Sequence, residues 1–136
     1  MHRLTLAAVT AFASFMPAAA QSGELGWSCR NMEYEISCNG GVCEASEAFT
    51  PMDIYTNSEE MAACAYTGCW EGKPTVIQSG RFIIFLGTDL PFSTQPEGRG
   101  DIALTIDTET HSATILVGDL YAMPAVCKRW SAPEQD

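Results

Sequence analysis

The chain has 136 residues, with 7 Lys and Arg against 17 Asp and Glu, a formal net charge of −10, and six cysteines. Such an acidic balance repels nucleic acid and anionic lipid, so neither is an expected partner. The length suits one ordinary domain with a single core.

In chain order, His2 and Arg3 precede an apolar stretch from Leu4 to Met16 that is too short to span a bilayer as a helix. Pro17 and the small side chains of Ala18-Ala19-Ala20 follow. This is the pattern of a cleavable secretory signal peptide over residues 1–20, with cleavage expected after Ala20. Gln21 and not Cys stands directly after that point, so no lipid anchor is expected, and later apolar runs such as Phe82 to Leu86 are too short for a membrane span. Residues 21–136 then form one β domain of the periplasm or the secreted space. It carries six Lys and Arg against seventeen Asp and Glu, a net charge of −11.

Residues 21–26 read as a loose end. From there, Met32, Tyr34, Ile36 and Cys38 alternate with Glu33, Glu35 and Ser37, which predicts a half-buried strand. Gly40-Gly41 suits a two-residue hairpin turn with positive φ, placing Cys38 opposite Cys43 within disulfide reach. The return arm carries Glu44 opposite Ser37, and Thr50-Pro51 ends it. Asn57 is able to cap a short helix near 58–64, with Glu60 closing a capping box, although Met61 to Trp70 reads equally well as a strand and turn. The same Cys-x4-Cys spacing recurs at Cys64 and Cys69, where Gly68 can supply a left-handed turn residue. Elimination leaves Cys29 with Cys127.

Beyond Pro74, Thr75 to Ile77 and Arg81 to Leu86 predict strands, the second covered on both faces. Residues 87–100 hold three Gly and two Pro and read as a long loop with a short strand at Leu90 to Phe92. A three-strand meander closes the chain. Ile102, Leu104 and Ile106 alternate with Ala103, Thr105 and Asp107, followed by Ala113 to Val117 and Leu120 to Met123, with Ile102, Leu104, Ile106, Ile115 and Val117 facing the core. The expected fold is therefore all-β for the most part. It is a small antiparallel barrel, or a sandwich, of seven to nine short strands, with at most one short helix near 58–64 and three disulfides as staples.

An even cysteine count beyond a signal peptide reads as a disulfide framework, because the extracytoplasmic space is oxidising. A four-thiolate zinc site from Cys38, Cys43, Cys64 and Cys69 is the competing reading, and the compartment opposes it. One histidine, His111, remains after residue 20, in the turn between two strands. Asp107 and Glu109 lie near it in sequence, but a turn-tip His is ordinarily solvated, so no catalytic or metal-binding residue is expected. No phosphate-binding glycine loop, dinucleotide fingerprint or calcium loop is present, and no cofactor is expected. Arg99-Gly100-Asp101 matches a cell-adhesion tripeptide but is common loop chemistry. Trp70, Phe82, Phe85 and Phe92 are expected to fill the core rather than to line a ligand cup.

Ser79-Gly80-Arg81-Phe82-Ile83 is similar to the Ser-Gly-x-x-Tyr motif of the small periplasmic lysozyme inhibitors of the MliC type, which are acidic, exported, disulfide-containing antiparallel barrels. Ile83 stands where that family has Tyr, and the family's second, Lys-containing motif has no counterpart. The likeness covers five residues and general character, and it assigns no family.

The functional expectation is an exported, acidic, non-enzymatic β module that binds a protein partner, plausibly a basic one. Glu33, Glu35 and Glu44 are its expected acidic face, the first two turned outward together by strand alternation. The alternatives are a small barrel carrying an apolar ligand and an enzyme of another type.

Overall fold

Eleven strands form in sequence order in the computed structural model, which describes residues 26–130: β1 (Gly26–Asn31), β2 (Glu35–Asn39), β3 (Val42–Ser46), β4 (Met52–Thr56), β5 (Met61–Ala65), β6 (Gly68–Gly72), β7 (Thr75–Ser79), β8 (Phe82–Phe92), β9 (Gln95–Asp107), β10 (Ser112–Val117) and β11 (Tyr121–Trp130). The signal peptide expected over residues 1–20 and its cleavage point lie outside the described residues. Among the described residues, no helix is long and apolar enough to cross a membrane.

The ladder β1-β4-β5-β6-β8-β9-β10-β11 returns to β1, closing an eight-strand antiparallel barrel rather than a sandwich. The other three strands extend members of that ring. β1 and β2 follow the same edge of β11, β6 and β7 the same edge of β8, and β3 and β4 lie along β2 and β1. Each break has a chemical cause. Between β6 and β7 stand Lys73 and a buried Pro74, which has no N–H for a ladder. Between β1 and β2 the backbone bends at Glu33, whose φ is +73°.

Asn31 stitches the neighbouring breaks together. Its Nδ2 donates to the Thr50 carbonyl (2.6 Å), and its Oδ1 accepts from the Met52 N–H (2.9 Å), so a side chain replaces the ladder where the ladder stops. The inward faces of the ring supply the core: Trp27, Ile54, Met61, Phe85, Leu104, Ile106, Ile115 and Met123 are all buried. The expected inward set of the meander, Ile102, Leu104, Ile106, Ile115 and Val117, is buried throughout.

All three disulfides join directly opposed residues of antiparallel pairs: Cys29–Cys127 across β1 and β11, Cys38–Cys43 across β2 and β3, and Cys64–Cys69 across β5 and β6. Cys29–Cys127 is buried on the seam where the ring closes. Three such bridges suit an oxidising, extracellular environment.

Several expectations need correction. No helix occupies 58–64. Asn57 does cap, its Oδ1 accepting from the N–H groups of Glu59 and Glu60 at 2.8 Å each, but the chain then reverses into β5. Met61, Ala63 and Ala65 are buried while Ala62 and Cys64 are half-exposed, the alternation of a strand. The expected loop over 87–100 is the hairpin of β8 and β9. Its glycines serve close packing: a Cβ on Gly100 would meet the Trp70 indole at 2.7 Å. The expected strand from Met32 begins only at Glu35. Positive φ in the β5–β6 turn falls on Tyr66 (+50°) and not on Gly68. Phe82 is 45% exposed, so β8 is not covered on both faces at its start; Phe85 is buried and Trp70 packs partly against the core.

Candidate functional site

The registers sort the hairpin tips into two rims. One rim gathers Gly26, Trp130 and the turns at 57–60, 80–81 and 108–111; the far rim gathers the tips at 40–41, 66–67, 93–94 and 118–120.

On the first rim an open groove of about 870 Å³ is lined from five strands, β1, β4, β5, β6 and β11. Its outer row is set by register: Ser28 of β1 stands opposite Tyr55 of β4, Tyr55 opposite Ala62 of β5, and Ala62 opposite Glu71 of β6. Alternation turns this row away from the core, because Cys29, Ile54 and Ala63 point inward. Met61 and Trp130 complete the apolar lining, and Glu59 and Glu60 come from the capped turn. The Trp130 ring lies flat on Gly26, where a Cβ would come within 2.7 Å of it, and its Nε1 is buried without a hydrogen-bond partner. Only glycine at 26 lets the indole line the groove.

Charge on this groove is one-sided. Lys73 pairs with Glu59 (2.6 Å), and both are exposed. Among the ion pairs of the described residues neither Glu60 nor Glu71 takes part, which leaves two free carboxylates beside Tyr55 and Trp130. Outside the lining, Lys128 stands opposite Ser28 in register. An aromatic and aliphatic floor with carboxylates at its edge suits the stem and head of a Lys or Arg side chain.

The expected acidic face is only partly assembled. Glu35 and Glu44 share one face of the β2–β3 ribbon, with Glu44 opposite Ser37 as read from the sequence. Glu33 sits at the bend before β2 and does not turn outward with Glu35 on a strand. The Glu35 carboxylate accepts from the Thr50 N–H (2.9 Å), a second stitch across the breaks. Nothing in the sequence marked Glu59, Glu60 and Glu71 as one group, because three strands and a turn bring them together.

Several other titratable groups are taken up in structural pairs, among them Arg30 with Asp53 at 2.7 Å. Arg81 grips Asp107 through two hydrogen bonds and also pairs with Glu109 at 2.9 Å. That grip, with the N–H groups of Glu109 and Thr110, holds the Asp107 carboxyl well below the usual carboxylate range. His111 is exposed at φ +62°, its ring edge-on to the buried Trp27 at 5.5 Å, and Arg129 stacks over the same Trp27 at 4.3 Å. Together they cap one end of the core. Arg99-Gly100-Asp101 lies inside β9: Arg99 is held by Asp89 (2.8 and 2.9 Å), and Asp101 accepts from the Asp89 N–H (2.7 Å). Among the described residues no three His, Cys, Asp or Glu are grouped to hold a metal ion.

Comparison of the chain with protein-family models, with curated proteins and with solved structures finds no match.

Proposed function

We propose that this chain is exported with removal of residues 1–20 and acts as a non-enzymatic binding module for a cationic protein, engaging a Lys or Arg side chain in the groove between Tyr55, Trp130, Glu60 and Glu71. The observation that carries the reading is the pairing of an apolar, aromatic groove with two carboxylates that have no ion-pair partner among the described residues. A net charge of −11 beyond residue 20 adds long-range attraction for a basic partner and raises its association rate. Carriage of an apolar ligand inside the barrel has less support, since fully buried Ile54, Leu104, Ile106, Ile115 and Met123 fill the interior. Catalysis has less support too, because Asp107, Asp89 and His111 are engaged in structural contacts.

Titration with a synthetic arginine-rich peptide, followed by tryptophan fluorescence, tests the reading. Binding is expected with a change in indole emission, and it weakens as salt shortens the Debye length from about 10 Å at 0.1 M to about 3 Å at 1 M. Equal binding of an uncharged peptide of the same length, or affinity independent of salt, contradicts it.

A further inference from the structure

The ring of the barrel has no edges, but two of the strands that extend it do. β3 ends the hydrogen-bonded path, and β7 pairs only with β8. The two edges differ in protection. β3 carries the charged Glu44, a device that discourages edge-to-edge pairing. β7 is Thr-Val-Ile-Gln-Ser, with no charge, no Pro and no bulge in its pairing with β8, and all five residues are exposed. An unprotected, β-prone edge of this kind is a template for another strand.

Beside this edge lies an apolar outer face set by register. Ile77 stands opposite Ile84, Ser79 opposite Phe82 and Thr75 opposite Leu86. Leu86 in turn is opposite Ala103, and Ala103 opposite Leu116. Ile77, Phe82 and Leu116 are each 45% exposed. From Thr75 to Gly80 and from Phe82 to Leu86 there is no charged residue, although the molecule as a whole is strongly acidic. A second, equally acidic copy therefore meets no like charge along these segments.

We propose that β7 is a homodimer interface, in which two copies pair their β7 strands antiparallel about a two-fold axis at Ile77. The strand is self-complementary in this arrangement: Thr75 of one copy faces Ser79 of the other, Val76 faces Gln78, and Ile77 faces itself. One patch serves both partners and the contact closes on itself, as a two-fold dimer requires. The free backbone groups of β7 gain partners, and Ile77 is covered together with its neighbours Ile84 and Phe82. The proposal does not rest on the groove reading, and it has the opposite salt dependence. Salt screens the repulsion between two acidic copies but leaves hydrogen bonds and apolar contact, so dimerisation strengthens where binding of a cation weakens.

Sedimentation velocity of the protein with residues 1–20 removed, across a concentration series at low and high salt, tests the proposal. Wild type is expected to shift from monomer to twice the monomer mass, at lower concentration in high salt. Ile77→Lys sits on an exposed position, keeps the fold by circular dichroism and loses the dimer. Val126→Lys, an equally exposed apolar site on β11, keeps it. Oxidation of an Ile77→Cys variant yields a dimer linked through residue 77 on peptide mapping. A wild type that stays monomeric at every concentration and salt, a dimer that survives Ile77→Lys, or linkage only through other positions overturns it.

Discussion

Asn31 shows how much one buried polar side chain can hold. It is 3% exposed and satisfies both the Thr50 carbonyl and the Met52 N–H. Leucine at this position would add apolar area yet leave a buried N–H and a part-buried carbonyl without partners, each at about 1–3 kcal/mol. Asn31→Leu is therefore expected to lower stability by about 2–4 kcal/mol in denaturant unfolding, against the direction that hydrophobicity alone suggests. Alternation makes a second contrast: Ile106 is fully buried and Thr105 half-exposed on the opposite face. Ile106→Asp is expected to cost several kcal/mol through an unpaired buried charge, and Thr105→Asp less than about 1 kcal/mol. Equal losses would show that the faces are misassigned. Asp107 gives a pH signature. Its carboxyl is depressed by Arg81, so its contribution is fully present above the unfolded value of about 3.9 and is lost as pH falls through the lower folded value. Asp107→Asn is expected to be less stable than wild type by a constant margin above about pH 5, with the gap closing in more acid solution. A gap that persists unchanged at the acid end contradicts the assignment.

At the scale of elements, the two short bridges and the meander were legible in the sequence because each obeys a local rule, and elimination then left Cys29 with Cys127. Cys-x4-Cys around a two-residue turn puts the sulfurs on directly opposed residues, and one unbroken alternation over Ile102 to Ile106 has a single reading. The first strand misled because its alternation runs on through a bend at Glu33, which periodicity does not register. The segment 87–100 misled because glycine is ambiguous: at Gly100 it makes room for Trp70 inside a strand, where the sequence suggests a loop. Asn57 gave a true capping signal for the wrong element, since a turn and a helix start expose the same N–H groups. Ring closure gives the Cys29–Cys127 bridge particular weight. It spans a sequence separation of 98, against 5 for each of the others. In the chain-entropy view it contributes about 4.7 kcal/mol and each short bridge about 2. Replacing Cys29 and Cys127 with Ala should lower the melting temperature more than replacing either short pair. A larger loss on removing Cys38–Cys43, out on the exposed ribbon, would contradict this ranking.

On the scale of the whole molecule, the two rims hold different chemistry. The far rim carries the β2–β3 ribbon with Glu44, and the rim with Trp130 carries the groove. The groove was not legible in advance, because Ser28, Tyr55, Ala62 and Glu71 meet only through the register of four strands. Global charge and local site predict different outcomes, and a charge-matched pair of variants separates them. Glu60→Gln with Glu71→Gln removes two charges at the groove, while Glu33→Gln with Glu44→Gln removes two away from it and spares the Glu35 stitch. The most direct measurement is the stopped-flow association and dissociation of an arginine-rich peptide with wild type and both double variants at low salt. The groove pair is expected to slow association and to speed dissociation, whereas the Glu33 and Glu44 pair changes association slightly and dissociation not at all. Equal effects of the two variants would mean that only the overall field attracts the cation, and would contradict a binding site at the groove.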